Sequence, residues 1–379
     1  MSDLDRAFKR AFDDDEPTTL GSGWWSGAAS VFCGSLAMAG VACFLFPDYL
    51  TTAEVRARLP LNWARAILQV VIVLAFILGL ISTALRRRKV MGLFGMSLAS
   101  IASILGGSGI DFTLSNADAP SLGLDWFALN VLLLAALFVP MERRWPLRPE
   151  QSTFRPGWTT DTLYFLTSHL FVQVTTFLIL APAHAAFVAL DGQAWRSAIA
   201  HLPLVVQFSA VLLCADLAEY GIHRAFHAVP ALWRFHAIHH SSIDMDWLAG
   251  SRLHIVDVIV TRAIVVCPLF ALGFDQRAVA AYLVFVSFHA VFIHANVRFD
   301  LSRLEPWIVT PRFHHWHHAK ERAAIDKNFA VHLPWIDRLF GTAYEPADRW
   351  PEHYGIEGDP VPPDLIPQTV WPLRNRGRG

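Results

Sequence analysis

Residues 66–85 read AILQVVIVLAFILGLISTAL and contain no charged side chain. About 20 helical residues of this kind span the roughly 30 Å hydrocarbon core of a bilayer, and a stretch this long and apolar is the usual signature of a membrane-spanning helix. This stretch therefore predicts a transmembrane helix and points to the class of the whole chain.

The composition of the 379-residue chain agrees with that prediction. Hydrophobic residues make up 54% and charged residues only 17%, against about 25% charged residues in an ordinary soluble domain. These values disfavour a soluble enzyme, a disordered chain and a coiled coil. The net charge of −1 lacks the basic footprint of a nucleic-acid-binding protein, so we expect no nucleic-acid partner.

Other apolar stretches extend the predicted membrane region on both sides of residues 66–85. The stretches that predict further spans are 24–46, 90–110, 126–141, 162–190 and 197–215. A last apolar pair, 255–274 and 277–297, is interrupted by charged residues and by Gly273. It predicts a hairpin that enters and leaves the membrane on one side. The total is about six crossings plus this hairpin.

The basic loops predict the orientation. Arg86–Lys89 follows the second span and Arg143, Arg144 and Arg148 follow the fourth, whereas the loop 111–125 between them carries Asp but neither Lys nor Arg. Basic loops stay in the cytoplasm, so the N-terminus and the histidine clusters described below are expected there. Only four of the 31 basic residues are lysine, a bias typical of GC-rich genomes, which favours a bacterial inner membrane.

The chain is expected to divide into three regions. Residues 1–150 form an N-terminal membrane region of about four spans, and their polar start predicts no cleavable signal peptide. Residues 151–345 form a histidine-rich domain, and residues 346–379 form a Pro-rich tail of extended chain. The predicted fold class is an all-α, polytopic integral membrane protein with a cytoplasm-facing, histidine-rich helical domain.

Twelve of the 17 histidines lie between His223 and His318, and eight of them form three patterned clusters. Helical residues three and four apart share one face, so each cluster aims imidazoles at a common point. Eight imidazoles exceed what one ion can bind, and neutral imidazole suits Fe, Zn, Cu and Ni. The pattern predicts two metals, with His239 and His240 facing different ions. The cluster residues are His223 and His227; His236, His239 and His240; and His314, His317 and His318.

Neighbouring polar residues extend this constellation. His294, at the end of the last apolar limb, is expected to be a ninth ligand, while His254 is either a ligand, a supporting residue or neither. Metal-bound histidines usually donate their second N–H to a carboxylate or carbonyl. Nearby polar side chains are candidates for that supporting role, or alternatively for helix caps and interfacial ion pairs. These candidates are Asp216, Glu219, Asp244, Asp246, Asp326 and Asn296.

Several motifs in order resemble the fatty acid hydroxylase / sterol desaturase superfamily of membrane-bound di-iron oxygenases. The resemblance covers roughly residues 160–345 and leaves the first 150 residues unmatched. It rests on Asp216…Tyr220-x-x-His223-Arg-x-x-His227, Pro230-x-Leu232-Trp233-x-Phe235-His236-x-x-His239-His240-Ser241, His294-x-Asn296, Pro311-x-x-His314-x-x-His317-His318, Asp326-Lys-Asn328-Phe329 and Trp335-x-Asp337-Arg338-Leu-Phe340-Gly341-Thr342.

The resemblance implies two iron ions that activate dioxygen, the co-substrate, in order to hydroxylate or desaturate a C–H bond of a membrane lipid. It leaves open a sterol, a fatty acyl chain, a sphingoid base, an ether lipid or a carotenoid. Zinc can replace iron in purified protein, and no catalytic residue separate from the metal ligands is implied. The implied ligands are His223, His227, His236, His239, His240, His294, His314, His317 and His318.

Electrons for this chemistry must come from outside the chain, because no flavin, haem or ferredoxin motif is visible in it. A ferredoxin or cytochrome b5 type carrier with its reductase is expected. Basic residues could receive that acidic partner or could simply contact lipid. They are Arg224, Arg234, Arg312, Lys320, Arg322 and Lys327.

Three other functions are compatible with histidines in a membrane protein, namely a membrane metal transporter, a metal-dependent membrane hydrolase and a lipid-binding protein with a vestigial site. The presence of all eight cluster histidines argues against the last. A transporter places its ionisable ligands near the middle of a span. Here the histidines lie at span ends or in polar segments, which favours the oxygenase.

Overall fold

The computed structural model describes residues 19, 21–52, 56, 60–111, 124–170, 193–347, 349–358 and 361–374. Within these ranges the regular elements are helices, accompanied by two isolated antiparallel bridges, Pro146 with Val297 and Ala319 with Tyr354. The all-α prediction is confirmed.

The chain forms two compact units. The N-terminal unit comprises Asp3–Arg143 and Ser152–Phe154, and the histidine unit comprises Met1–Ser2, Arg144–Gln151 and Arg155–Gly379. The helices of the N-terminal unit are α1 (Trp24–Leu45), α2 (Pro47–Leu50), α3 (Leu61–Leu85), α4 (Val90–Ile104) and α5 (Leu124–Arg144).

The histidine unit contains the remaining described helices. They are α6 (Trp158–Leu170), α7 (Gln193–Ala200), α8 (Leu204–Ala228), α9 (Pro230–His240), α10 (Ile255–Leu272), α11 (Gln276–Phe292), α12 (Pro311–His317), α13 (Trp335–Phe340) and α14 (Leu365–Arg374). Helix α8 is central because it packs against α9, α10 and α11.

Small residues hold the N-terminal unit together. A Cβ atom on Gly79 of α3 would lie 2.8 Å from the carbonyl oxygen of Gly92 on α4, so the two backbones are in direct contact. Ser30 Oγ of α1 donates to the carbonyl of Ala75 at 2.6 Å, and Ser82 Oγ donates to that of Gly23 at 2.9 Å. Close approach through small residues is how helices associate in lipid, where hydrophobicity supplies little driving force.

Four helical segments in the described part of the chain are long and apolar enough to cross a membrane: Trp24–Leu45, Leu61–Leu85, Val90–Gly109 and Leu204–Ala228. They mark an integral, multi-pass membrane protein. The predicted span 126–141 forms helix α5, which is not among these four. The predicted span 162–190 begins in α6, and its part from 171 onward lies outside the described residues.

Two boundaries differ from the sequence prediction. The span expected at 197–215 begins only at Leu204, because Pro203 adopts ψ 142 and separates it from α7. The tail expected to be extended contains helix α14, which docks on the histidine unit through the hydrogen bond from His254 Nε2 to the carbonyl of Thr369. Gln368 is fully buried there, which explains how a Pro-rich segment gains enough contacts to be helical.

Candidate metal centre

Nine histidines converge into two adjacent groups of side chains. In each group the candidate ligand atoms all lie within 4.8 Å of one another. The five-histidine group consists of His223, His227, His236, His240 and His317, and the four-histidine group consists of His239, His294, His314 and His318.

Helical spacing delivers most of these side chains. The last two turns of α8 present His223 and His227, and α9 presents His236 and His240 in the same i, i+4 relation. Since such residues share one face, each helix contributes a pair to the five-histidine group. His317 of α12 completes that group.

The adjacent histidine pairs divide between the groups. His239 faces the four-histidine group while His240 faces the other, and His318 and His317 divide in the same way. Successive helical residues point about 100° apart, so two neighbouring histidines reach two different centres. The two groups therefore share α9 and α12 as common walls.

The Nε2 atoms of each group point at one another. His236 Nε2 lies 3.1 Å from His223 Nε2 and 3.2 Å from His240 Nε2. In the four-histidine group, His314 Nε2 lies 3.0 Å from His294 Nε2 and 3.1 Å from His318 Nε2.

Backbone carbonyls and carboxylates decide which nitrogen carries the proton. His223 Nδ1 donates to the carbonyl of Phe329 at 2.8 Å, and a neutral imidazole has only one N–H. The Nε2 atom of that ring therefore presents a lone pair toward the centre of its group. The same outward donation is made by His227 to Asp326, His236 to Asp257, His239 to Arg252, His294 to Ala290 and His317 to Lys327.

Converging lone pairs at about 3 Å repel one another unless a cation lies between them. Two of the inward atoms, His227 Nε2 and His317 Nε2, are buried and have no hydrogen-bond partner. Orphaned buried acceptors of this kind, all imidazole nitrogens, match the donor set of Fe or Zn. The two groups are thus consistent with a di-metal site.

Burial keeps neutral those histidines of the two groups that lie outside the membrane spans. Desolvation lowers their pKa first, and neighbouring imidazoles lower it further; for His294 burial dominates and brings the pKa to about 4. Neutral imidazole is the metal-binding form, so the site is prepared for cations at neutral pH. The pKa values of the following residues are also lowered: His236, His239, His240, His314, His317 and His318.

Two of the predicted carboxylates support this arrangement. Asp326 accepts from His227 Nδ1 at 3.1 Å. Asp216 acts indirectly, because its carboxylate accepts from the backbone N–H groups of residues 331–333 and so holds the segment that carries the Phe329 carbonyl. Asp337 holds the same segment through the N–H groups of Phe329 and Ala330.

Other candidates from the sequence lie outside the two groups. His254 uses both ring nitrogens, toward Thr369 and the N–H of Val256. The side-chain amide of Asn296 makes two hydrogen bonds with the backbone of Arg148: its oxygen accepts from the N–H group and its nitrogen donates to the carbonyl. Glu219 is half-buried one turn before His223, and Asp244 is half-buried and offers its backbone carbonyl to Ser242.

Several supporting residues were not among the predicted candidates. Asp257 accepts from His236 Nδ1 at 2.7 Å and is buried. Its charge within an apolar limb was a signal that could have identified it, because such residues are usually functional. Arg155, Asp161 and Arg252 were also not predicted. Arg155 bridges Asp161 to the predicted carboxylate Asp246, and Asp161 also pairs with Arg252, whose carbonyl accepts from His239.

Three other buried histidines make hydrogen bonds outside the two groups, namely His289, His315 and His332. His315 is buried, and its Nδ1 atom is hydrogen bonded to the Tyr354 hydroxyl at 2.8 Å, which links the C-terminal segment to α12. His289 and His332 pair with each other at 3.1 Å, away from both groups. Gly250 packs on the His294 ring, where a Cβ atom would lie 2.7 Å from Nδ1.

Comparison with known proteins confirms the predicted resemblance. Residues 208–342 match the family model for fatty acid hydroxylase. Ornithine lipid hydroxylase OlsE of Rhizobium tropici is 29% identical over 263 residues, covering 67% of this chain and 77% of that protein. No solved structure matches the sequence.

Two further relatives share shorter segments. Alkylglycerol monooxygenase of Homo sapiens is 35% identical over 133 residues, which is 35% of this chain and 29% of that enzyme. Fatty acid hydroxylase vlmA of Lecanicillium sp is 28% identical over 173 residues, which is 42% of this chain and 45% of that protein. The chain therefore spans less than half the length of these two relatives.

Proposed function

We propose that this chain, a membrane lipid oxidoreductase of the fatty acid hydroxylase family, inserts one oxygen atom from dioxygen into an aliphatic C–H bond of a polar membrane lipid. The balanced reaction is R–H + O2 + 2 e− + 2 H+ → R–OH + H2O. Two iron ions, when bound, supply the oxygen activation. The observation that carries the proposal is the convergence of nine imidazoles into two adjacent groups.

The nine histidines are proposed to be the metal ligands, with no separate catalytic residue. Outward hydrogen bonds orient six of the nine rings, and an oriented ligand needs no rearrangement when metal arrives. Aromatic side chains around the groups exclude water from the oxidising chemistry; for example, Phe226 stacks on His236 and Phe329 packs against His223.

The location supports a lipid substrate. His223 and His227 lie in the last two turns of α8, a candidate membrane span. A centre at the end of a span lets an apolar chain stay in the bilayer while its polar head remains in water. A transporter would instead need ionisable ligands near mid-span, and a hydrolase would need no nine-imidazole centre.

Hydroxylation is favoured over desaturation by the names of the relatives. Three of them are an ornithine lipid hydroxylase, an alkylglycerol monooxygenase and a fatty acid hydroxylase. Their shared chemistry is oxidation of a lipid, and we propose the alkyl chain of a polar membrane lipid as the substrate class here.

The proposed setting is a bacterial inner membrane with the N-terminus and the metal centre on the cytoplasmic side. The basic loops after the second and fourth predicted spans support this orientation. Electrons are proposed to come from a separate carrier protein with its reductase, because the reaction consumes two electrons that the lipid does not supply.

The test combines metal analysis with lipidomics under labelled dioxygen. Membranes with the intact protein should gain a lipid that retains one labelled oxygen atom, and the iron-loaded protein should bind two metals per chain. A product that lacks two hydrogens and carries no label would show desaturation instead.

The variant His239→Ala removes a buried member of the four-histidine group. We expect it to lose metal and to reduce lipid oxidation to background. The matched control is His353→Ala, an exposed histidine outside both groups, which should keep both properties. Intact lipid oxidation in His239→Ala protein would overturn the proposal.

A further inference from the structure

One of the nine histidines is hydrogen bonded to an exposed side chain. Eight are buried residues, and the side chain of the ninth, His227 of the five-histidine group, is only 6% exposed. Its Nε2 atom points inward and is buried, while its Nδ1 atom donates to Asp326, whose side chain is 64% exposed. The hydrogen bond from His227 to Asp326 thus connects the centre directly to the surface.

An aromatic side chain lies beside His227. Trp233, half-buried on the first turn of α9, has its ring centroid 5.0 Å from that of His227 and 5.4 Å from that of His240. It is also 6.3 Å from the ring of His236. One partly exposed indole therefore contacts three members of the five-histidine group.

A single surface loop, residues 321–327, completes the surroundings of His227. Asp326 of this loop binds His227, and the carbonyl of Lys327 accepts from His317 Nδ1 at 2.8 Å. Ile325 is exposed on the same loop. Two histidines of the five-histidine group are thus hydrogen bonded directly to this surface loop.

The charge of this face is positive on balance. Arg224 is exposed one turn before His227 on α8, and the loop adds Arg322 and Lys327, so that three basic residues stand against two carboxylates, Glu321 and Asp326. Arg312, also a sequence candidate for partner binding, is instead paired with Glu305.

We propose that an acidic one-electron carrier protein docks on the face formed by Arg224, Trp233 and the 321–327 loop, beside His227, from which electrons would reach the metal ion that the five-histidine group would hold. This rests on the proposed function, in which two reduced carriers are each oxidised by one electron per R–H hydroxylated. Electron tunnelling weakens steeply with distance, so the carrier should approach where an exposed residue, Asp326, directly contacts a histidine of the centre.

The chemical character of the face fits such a partner. Electron-transfer complexes are weak and bury less than about 1,200 Å². Complementary charge steers them together, which raises the association rate by about tenfold to a thousandfold at low salt. A few basic side chains around two apolar groups with exposed surface, Trp233 and Ile325, suit a short-lived encounter of this kind.

The experiment measures oxidation of an acidic [2Fe–2S] ferredoxin, kept reduced by its reductase, by the full-length, iron-loaded protein in nanodiscs. The variant is Arg224→Glu/Arg322→Glu/Lys327→Glu. We expect its second-order rate constant to fall at least about tenfold at low salt and its salt dependence to flatten. Metal content and reduction by dithionite with methyl viologen should be unchanged.

Controls separate docking from folding. Arg298→Glu reverses an exposed arginine whose backbone is held by Trp145, and it should behave like wild type. Because Arg224 also donates to the Tyr220 hydroxyl, the double variant Arg322→Glu/Lys327→Glu tests docking without that contact, and it should retain part of the rate loss.

The outcomes distinguish the two proposals. Equal ferredoxin rates in the wild type and both charge-reversal variants would overturn the docking face, as would a wild type that dithionite reduces but ferredoxin does not. Absence of any oxidised lipid, together with charge-dependent ferredoxin oxidation, would overturn the proposed function and leave the docking face intact.

Discussion

The two histidine groups sit side by side but are supported differently. The five-histidine group reaches the surface through Asp326, which accepts from His227 and has a side chain that is 64% exposed. All members of the four-histidine group are buried, and His239 donates to the carbonyl of Arg252, which belongs to a buried ion network. The first group is thus supported in part from the surface, and the second from the interior.

In the proposed function, this difference would let two sites of the same ligand type serve different steps. The surface residue that contacts His227 would lie beside the proposed electron carrier, while the buried four-histidine group would keep water from the proposed oxidising chemistry. The five-histidine group also holds a carboxylate partner that is buried, Asp257. An exposed and a buried carboxylate, Asp326 and Asp257, can therefore be compared within one group.

Acid should have the largest effect because it acts on both groups together. The pKa of His294 lies near 4 in the folded protein, below the roughly 6.5 of an unfolded chain. The unfolded state then binds more protons, so the metal-free protein is most stable above pH 6.5 and loses stability as the pH falls toward 4. Protons also compete with metal for the same nitrogens.

Metal release and thermal unfolding measured between pH 7.5 and 4 test this prediction. Both groups should empty together with the loss of stability in that window. Buried histidines outside the groups add to the effect, since the pKa of His332 is lowered to about 3 by burial. A protein that becomes more stable as the pH falls through 6 would contradict it.

The next largest effect is expected from Arg155→Met. Arg155 is buried and bonds Asp161 at 2.6 Å and Asp246 at 2.7 Å. Its removal breaks the ion pair of Asp246 and leaves Asp161 with Arg252 alone, and breaking a buried pair typically costs about 3–5 kcal/mol. The four-histidine group should lose metal first, because Asp246 also holds the N–H groups of the turn that contacts His294.

Thermal unfolding and metal content per chain are the measurements. Arg277→Met is the matched control, since it removes an arginine from an exposed pair with Asp275, and it should change little. Equal effects of the two substitutions would mean that the buried network does not support the site.

The smallest effect concerns the two carboxylates of the five-histidine group. Asp257→Asn should lower metal affinity about 10- to 100-fold, because a buried carboxylate beside a ligating histidine raises its basicity. Asp326→Asn should have a weaker effect, since water can replace an exposed partner of His227. Competition with a chelator measures both, and a larger loss in Asp326→Asn would reverse the proposed difference.

Local patterns account for what was predictable. Charge-free runs identified the spans because crossing a bilayer is a property of consecutive residues, and the i, i+4 spacing of His223 and His227 was enough to predict that they share one helical face. The start of the fourth long span was misplaced because Pro203 interrupts an otherwise apolar run. Helix α14 was missed because its helicity depends on docking rather than on its Pro-rich sequence.

By itself, the sequence determined an apolar, helical membrane protein with histidines spaced to bind two metals. Only the tertiary structure decided which histidines share a group, that Asp257 serves His236, and that Arg155 ties Asp161 to Asp246 across about 90 residues of chain. The reason is physical: helical periodicity relates residues a few positions apart, whereas buried charge pairs and convergent lone pairs exist only after distant segments pack and exclude water.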